Sequence, residues 1–447
     1  MRVAIIGAGV AGLASARRCL ENSFEPIVYE RSKIVGGTWV YEERTGVDEF
    51  GLPIHTSMYK NLMTNLPKEL MDFPNFPYKG LDNISFLKPW QVQEYIEQFT
   101  EHFGLNKYIQ NNSHPNRLLT GLICVVNLVT SVERLTNNWQ VTVEDLKTKT
   151  LKTEYYDAVM VCNGHNASPF IPDIPGKDDF EGIQIHSHDY RIPEHFTNMN
   201  VLIIGSGPSG IDICSDVSKV ANQFQVLNIV NESDFPPIFR LQVYFSHHKP
   251  ELIEKEFPKN VVHLPDVELF SKKSVCFKDK TKQTLDAVIY CTGFKISLSF
   301  LKPSCGINVL NDKLITPLHK NIINMNNPTM GFIGYLNMTF VFRIFDLQVR
   351  YYLEFLRKNC LSRLDSTVTT MTPVTTHFLG QNMLYYCKSL VSDENKVEPI
   401  PSIYFEIYIG CHELKEKYFR SYHSSVFKII NNDEYLIEFD AENVKNK

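Results

Sequence analysis

Two short apolar runs, each followed at once by a glycine-rich turn, dominate the hydrophobic pattern of the chain. The runs are Val3–Ile6 and Val201–Ile204, and the turns lead into stretches with helical spacing, Leu13–Leu20 and from Ile211 onward. A buried strand, a tight turn and a helix in this order are typical of a parallel βαβ unit. The pattern therefore predicts an α/β fold that contains two such units.

The first turn has the spacing GxGxxG, with Gly7, Gly9 and Gly12 at its defined positions, and a second strand, Pro26–Tyr29, ends at Glu30. Gly7 permits a tight turn, Gly9 lets the backbone approach a pyrophosphate, and Gly12 lets the helix pack on the strand. An acid at the position of Glu30 can accept hydrogen bonds from an adenosine ribose. This context predicts a dinucleotide site, and the alternative is a glycine turn in another α/β fold.

The second turn repeats this arrangement, and a further strand is predicted near Gln225–Val230. The pattern D-A-V-x-x-C-x-G also occurs twice, at residues 157–164 and 286–293, once after each turn. Each copy predicts a buried strand that belongs to the unit before it. The residues predicted to bind the second dinucleotide are Gly205, Ser206, Gly207, Ser209 and Gly210.

Three prolines, Pro169, Pro172 and Pro175, predict an extended connection between the two units. The chain is expected to pass back after Gly293. We therefore predict two Rossmann-like dinucleotide-binding domains, the second inserted into the first. Residues 1–168 and 295–447 form the first domain, and residues 169–294 form the second.

Composition and residue spacing argue against a nucleic-acid partner, a metal site and a membrane span. The net charge is −5, the charged fraction is 21%, and basic residues are interspersed with acids, so no nucleic-acid partner is expected. The ten cysteines are scattered without metal-ligand spacing, so no metal site is predicted. The most apolar long stretch, Gly331–Leu347, is interrupted by Asn337, Arg343 and Asp346, which argues against a membrane span.

The first strand begins directly after Met1, which leaves no room for a secretory signal. We expect a soluble protein without a membrane anchor, either cytoplasmic or secreted if a leader has been removed. An even, mildly acidic surface is compatible with a monomer or a homo-oligomer.

A segment before the second turn resembles the FxGxxxHxxx(Y/F) signature of flavin-containing monooxygenases, with Phe180, Gly182, His186 and Tyr190 at its defined positions. Residues 30–39 and 58–69 are also similar to this family, so the resemblance covers the chain from residue 1 to about 295. Within the family, the chain is similar to the compact insect members that N-oxygenate pyrrolizidine alkaloids.

The resemblance implies that the first unit binds FAD and the second NADPH. NADPH would reduce FAD, oxygen would add at C4a, and the hydroperoxide would oxygenate an amine nitrogen or a sulfur. The implied substrates are O2 and a small tertiary amine or sulfide, and the implied amine product is an N-oxide.

The resemblance also implies site residues. Asn65 matches the catalytic Asn of the family's Thr-Asn segment, where an amide can donate a hydrogen bond to a peroxide oxygen without protonating it; the alternative is a loop asparagine. Gly37 and Trp39 are expected beside the flavin or the pyrophosphate, although Trp39 could equally belong to the core. We expect His186 to organise the linker between the domains rather than to transfer protons.

One region departs from the family pattern. Many members place an Arg after the second strand of the NADPH unit, whereas this chain has Val230, Asn231, Glu232, Ser233 and Asp234 there. Acids would oppose a 2′-phosphate. Arg240 is predicted to reach back to the phosphate, with an ordinary surface arginine as the alternative, so the NADPH prediction depends mainly on the resemblance.

Several functions compete with N-oxygenation. An NADPH oxidase that releases H2O2 would share every motif. A Baeyer–Villiger monooxygenase has a signature that ends in Trp, and Tyr190 argues against it. A flavin disulfide reductase is disfavoured because no cysteine lies between Cys19 and Cys124. A non-catalytic flavin-binding protein would not need the whole second unit and linker.

Overall fold

A computed structural model describes residues 1–110, 126–221, 242–253, 255, 257–358, 377, 379–391 and 397–439. The helices in these ranges are α1 (Val10–Glu21), α2 (Pro89–His102), α3 (Pro208–Ala221), α4 (Val341–Lys358), α5 (Met383–Ser389) and α6 (Ser402–Lys417). The strands in these ranges are β1 (Arg2–Ile6), β2 (Glu25–Tyr29), β3 (Asn127–Arg134), β4 (Trp139–Asp145), β5 (Leu151–Tyr156), β6 (Ala158–Val161), β7 (Ser168–Pro169), β8 (Ile183–His186), β9 (Val201–Ile204), β10 (Val243–Ser246), β11 (Val261–Leu264), β12 (Val267–Phe270), β13 (Ser274–Phe277), β14 (Lys282–Thr284), β15 (Ala287–Tyr290), β16 (Phe294–Lys295), β17 (Asn308–Leu310), β18 (Leu314–Thr316), β19 (Leu318–His319), β20 (Ile323–Asn324), β21 (Met330–Phe332), β22 (Val426–Ile429) and β23 (Tyr435–Glu438).

The first sheet has the order β19-β20-β21-β6-β1-β2. β1 pairs in parallel with β2 and β6, and β6 pairs in parallel with β21. Ile5 packs with Leu13 of α1 and Leu347 of α4 on one face, whereas Ile6 packs with Trp139 of the β3-β4-β5 meander on the other. Both faces are covered, which explains why β1 and β6 are apolar almost throughout.

The second sheet has the order β11-β10-β9-β15-β8, and all of its strands are parallel. β15 lies beside β9 as β6 lies beside β1, so each D-A-V-x-x-C-x-G strand belongs to its own unit, as predicted. α3 begins at Pro208 rather than at Ile211. The predicted α/β fold with two Rossmann-like units is confirmed.

Two short strands connect the units. β7 and β16 are antiparallel, with Ser168 opposite Lys295 and Pro169 opposite Phe294. The chain leaves the first sheet after β6 and returns to it at β19, so the second unit is inserted into the first. The predicted boundaries at 168/169 and 294/295 fall in β7 and β16, and the division into domains at these residues stays a prediction.

The described part of the chain contains no helix that is long and apolar enough to cross a membrane. Gly331–Leu347, the stretch examined as a possible span, belongs partly to β21 and partly to α4. The same described residues contain no group of three or more His, Cys, Asp or Glu side chains that could hold a metal ion.

Candidate functional site

The first glycine turn is tight because neighbouring backbone fills the space that side chains would need. Gly7 has a φ of +105°, and a Cβ on it would lie 2.7 Å from the carbonyl oxygen of Cys162. A Cβ on Gly12 would lie 1.8 Å from the carbonyl oxygen of Gly7. α1 begins at Val10, directly after Gly9, so the free N–H groups of its first turn lie at the carboxyl end of the sheet.

Gly9 faces a second glycine segment. A Cβ on Gly9 would lie 3.5 Å from Cα of Gly37, and a Cβ on Gly37, whose φ is +58°, would lie 3.1 Å from Cα of Gly9. The Gly36 N–H donates to the carbonyl oxygen of Ala8 at 3.0 Å. Side chains at either glycine would fill the gap, so the two backbones form a cradle that fits a pyrophosphate.

Glu30 is held at the carboxyl end of β2, beside this cradle. Its side chain is buried, Oε2 accepts the Ala8 N–H at 2.7 Å, and Oε1 accepts the Ser32 N–H at 2.7 Å. A carboxylate has about four lone-pair sites. Glu30 therefore keeps acceptor capacity for hydroxyl groups of a bound ribose.

The second turn repeats the geometry of the first. Gly205 has a φ of +106°, and a Cβ on it would lie 2.5 Å from the carbonyl oxygen of Cys291. A Cβ on Gly210 would lie 1.8 Å from the carbonyl oxygen of Gly205, whereas a Cβ on Gly207 would meet no described atom within 4 Å. The backbone at Gly207 can thus be approached closely by a ligand. Ser206 is buried and Ser209 is half-buried beside it.

Hydrogen bonds align the two units residue by residue. The Gly7 N–H donates to the carbonyl oxygen of Tyr29 at 2.8 Å, at the end of β2. The Gly205 N–H donates to the carbonyl oxygen of Ser246 at 3.2 Å, at the end of β10. Ser246 therefore corresponds to Tyr29, and β10 is the second strand of the second unit.

Among the described strands, β10 and β15 lie on the two sides of β9. Residues 225–230, the residues 230–234 with their two acids, and Arg240 lie outside the described residues. The residue in the place of Glu30 is His247, the first residue after β10.

A basic segment, His247–Lys249, follows β10. Lys249 Nζ donates to the carbonyl oxygen of Ser206 at 3.2 Å, and the Lys249 backbone N–H donates to Nδ1 of His247 at 3.2 Å. Neutral His247 therefore carries its hydrogen on Nε2, 2.7 Å from Nδ1 of His263. Burial lowers the pKa of His247. The second unit therefore has a neutral imidazole, followed by Lys249, where the first unit has a carboxylate. In the sequence, the basic triplet after an apolar run indicated this difference.

Asn65 lies at the end of a segment fixed at both ends. Thr64 exchanges two hydrogen bonds with Leu87, from its N–H to the Leu87 carbonyl oxygen at 2.8 Å and from the Leu87 N–H to its Oγ1 at 2.9 Å. At the other end, Thr56 Oγ1 donates to the carbonyl oxygen of Thr38 at 2.8 Å. Between them, Tyr59 O–H donates to Asp212 of α3 at 3.2 Å. Asn65 itself is exposed.

The structure brings Trp39 close to the first cradle. It ends the single helical turn Gly37–Trp39, is half-buried, and packs against the core that contains α1 and α4. Trp39 therefore lies between the first cradle and the core, which are the two surroundings expected for it.

His186 is buried at the end of β8, where its Nδ1 accepts the His188 N–H at 3.0 Å and its ring lies 5.1 Å from that of Phe294. Burial lowers the pKa of His186 to about 4, so the ring is neutral near pH 7. It touches the returning strand β16, which supports the predicted role in the linker.

Comparison with known sequences places the chain in a family. The profile of the flavin-binding monooxygenase-like family matches residues 1–232 and 247–409. The chain belongs to this family. The resemblance to flavin-containing monooxygenases is thereby confirmed, and the chain is an enzyme that uses FAD, NADPH and O2. A non-catalytic flavin-binding role is excluded.

Relatives within the family act on different substrates. Senecionine N-oxygenase of Tyria jacobaeae is 32% identical over 407 residues, which are 91% of this chain and 81% of the relative. Flavin-containing monooxygenase 3 of Rattus norvegicus is 32% identical over 80% of this chain and 74% of its own. The solved structure of S-allyl-L-cysteine S-oxygenase from Allium sativum superposes with a TM-score of 0.77 at 26% identity and covers 94% of both chains.

Proposed function

We propose that this flavin-containing monooxygenase N-oxygenates tertiary amines, pyrrolizidine alkaloids among them. The observation that carries the proposal is the path of residues 56–65, which begin beside Trp39 at the first cradle, touch α3 behind the second turn and end at Asn65. FAD, when bound, supplies the electron transfer and the reaction with oxygen. The side chains and backbone of the protein bind, orient and shield.

The first cradle suits FAD. Gly7, Gly9, Gly12 and Gly37 would let the backbone approach the pyrophosphate, with the first turn of α1 supplying N–H groups and partial positive charge. Glu30 would accept hydrogen bonds from the adenosine ribose. Trp39 would border the flavin end of the cradle.

The second turn would hold the pyrophosphate of NADPH in the same way, through Gly205, Ser206, Gly207, Ser209 and Gly210. His247, His248 and Lys249 would then face the adenosine 2′-phosphate, because His247 stands where Glu30 stands in the FAD unit. The Lys249 ammonium group favours a phosphate, whereas a carboxylate favours a free hydroxyl. Contact between Arg240 and this phosphate stays a prediction.

Asn65 would act beside the flavin as a hydrogen-bond donor. Its amide can donate to oxygen at the reacting centre without losing a proton, which suits a step in which oxygen must be held rather than protonated. Its exposed position at the end of residues 56–65 leaves the amide available for this contact.

The choice of a tertiary amine is supported by the similarity to senecionine N-oxygenase over 91% of the chain. Sulfides are the second candidate, supported by the fold shared with S-allyl-L-cysteine S-oxygenase at a TM-score of 0.77. The two are separated by offering a pyrrolizidine alkaloid and an S-alkyl cysteine at equal concentration and comparing kcat/KM. A higher value for the sulfide would reverse the assignment.

The role of Asn65 is tested by Asn65→Ala. We expect the N-oxide formed per NADPH to fall about tenfold to a hundredfold, while NADPH oxidation continues and H2O2 rises. Asn137→Ala, in the exposed turn between β3 and β4, is the control and should behave as the wild type. An unchanged yield in Asn65→Ala would remove Asn65 from the catalytic residues.

A further inference from the structure

Two acids on α3 accept hydrogen bonds from residues 56–65, the segment that ends at Asn65. Asp216 is buried, and the Asn61 amide donates to its Oδ1 at 3.1 Å and to its Oδ2 at 3.2 Å. Asp212, one turn earlier, accepts the Tyr59 O–H at 3.2 Å. Residues four apart lie on one face of a helix, so both acids face the segment together.

The same carboxylate of Asp216 also contacts the segment between β8 and β9. Tyr190 O–H donates to Asp216 Oδ2 at 2.8 Å, and the rings of Tyr59 and Tyr190 meet edge to face at 5.4 Å. The Lys60 N–H donates to the carbonyl oxygen of Arg191 at 2.9 Å. A buried carboxylate that accepts several hydrogen bonds holds its donors more strongly than a neutral group would.

α3 links the contact between Asp216 and Asn61 to the second turn. α3 begins at Pro208, directly after Gly207 of the second turn, and Asp216 lies about two turns further along. A ligand bound at the second turn would therefore contact the N-terminus of the same helix whose Asp216 binds Asn61. At its other end the segment is anchored to Thr38, beside Gly37 of the first cradle.

We infer that Asp216 is a positioning residue that fixes residues 56–65 against α3, so that binding of NADP+ at the second turn orders the segment that carries Asn65. The inference rests on the proposed function, in which Asn65 lies at the reacting centre. Asp216 is not itself a catalytic residue, because it touches only Asn61, Tyr190 and Lys219 through hydrogen bonds among the described residues.

The test follows amide hydrogen exchange in the FAD-loaded enzyme with and without saturating NADP+. In the wild type, NADP+ should slow exchange at least about threefold in peptides that cover residues 205–210 and 56–65. Asp216→Asn and Asn61→Ala should keep the first effect and lose the second, since both remove the same contact. The double variant should be no worse than either single variant.

Tyr190→Phe is the matched control. It removes one hydrogen bond from the same carboxylate but leaves the contact with Asn61, so it should lower the thermal midpoint and still retain ordering of residues 56–65 by NADP+. In turnover, Asp216→Asn should release about three to ten times more H2O2 per NADPH than the wild type, and Tyr190→Phe should not.

Equal protection of residues 56–65 by NADP+ in Asp216→Asn and in the wild type would overturn the inference, as would equal loss in Tyr190→Phe. Failure of the proposed function looks different: the wild type would form no N-oxide while NADP+ still protected residues 56–65 in it and not in Asp216→Asn.

Discussion

A glycine of the first cradle and a glycine outside the site differ in the space around them. Gly37 and Gly80 both have positive φ, +58° and +70°, but only Gly37 faces another backbone, whereas nothing described lies within 4 Å of a Cβ on Gly80. Both substitutions carry the cost of a left-handed backbone, about 1 kcal/mol. Only one of them crowds the first cradle.

We therefore expect Gly37→Ala to purify with substoichiometric FAD and Gly80→Ala to retain a full complement, although both lose a similar amount of stability. The ratio of flavin to protein absorbance, together with the thermal midpoint of the apoprotein, measures the two effects separately. Full FAD occupancy in Gly37→Ala would show that the pyrophosphate does not pass between Gly9 and Gly37.

We expect the residue at position 247 to influence the preference for NADPH over NADH. His247→Glu would place in the second unit the residue type that the first unit has at Glu30. We expect KM for NADPH to rise about tenfold or more, because a carboxylate repels the 2′-phosphate, while KM for NADH stays the same or falls. NADH serves as the internal control because it lacks that phosphate. An equal rise for both cofactors would place the phosphate elsewhere.

The placement of the glycine turns and of Glu30 at the carboxyl end of the first sheet could be predicted from the sequence, because a turn without space for Cβ atoms requires glycines at fixed spacing. The sequence was insufficient for His247 and Lys249. Their role depends on which apolar run pairs with β9, and Gln225–Val230 and Val243–Phe245 are equally suited to a buried strand.

The segment between β8 and β9 is held against the first unit by one buried arginine, Arg191. The guanidinium of Arg191 donates at 2.6 to 3.3 Å to five carbonyl oxygens, those of Glu42, Arg44, Thr56, His188 and Tyr190. An ammonium group cannot reproduce this planar array of donors. Arg191 thus holds the segment between β8 and β9 against segments that flank the first cradle.

Arg191→Lys should lower the free energy of unfolding by about 2 to 4 kcal/mol, because several buried carbonyl groups lose their donors. Arg357→Lys, at an exposed arginine that keeps its charge beside Glu354, should change it by less than about 0.5 kcal/mol. Urea denaturation measures both. A loss in Arg191→Lys as small as in Arg357→Lys would mean that water replaces the guanidinium without cost.

Elements with strong local signals were predicted well. The buried runs of the two dinucleotide-binding patterns can be identified from the local sequence alone. These elements are β1, α1, β2, β6, β9 and β15. The β3-β4-β5 meander, the β12-β13-β14 sheet and the C-terminal helices were not predicted, because their positions depend on surfaces provided by the rest of the fold.

Across the whole molecule, buried histidines link folding to pH. Burial lowers the pKa of His186 and His377 to about 4, and each accepts a backbone N–H, from His188 and Ile315, that protonation would displace. The unfolded chain, with histidine pKa values near 6.5, binds more protons between these limits. The stability is therefore fully present above about pH 6.5 and is lost as the pH falls towards 4.

We expect each of these histidines to contribute about 2 kcal/mol of the stability lost between pH 7 and pH 5. In His377→Gln, whose amide oxygen can still accept the Ile315 N–H, the pH dependence should be shallower by that amount. Chemical denaturation at the two pH values measures the difference. Parallel losses in the variant and the wild type would show that His377 is not buried in its neutral form.

The insertion of one nucleotide unit in another was predictable from the repeated D-A-V-x-x-C-x-G pattern and the prolines after Ser168. The contacts between the units were not. Asn61 and Asp216 are 155 residues apart in the sequence, and only the folded chain brings them together.

Oxygen labelling tests the proposed N-oxygenation most directly. The FAD-loaded enzyme is supplied with NADPH, 18O2 and a pyrrolizidine alkaloid, and NADPH consumed, H2O2 released and labelled N-oxide formed are measured in one reaction. We predict one 18O atom in each N-oxide and close to one N-oxide per NADPH. Stoichiometric H2O2 without labelled N-oxide, with sulfides equally inert, would contradict the proposal and identify an NADPH oxidase.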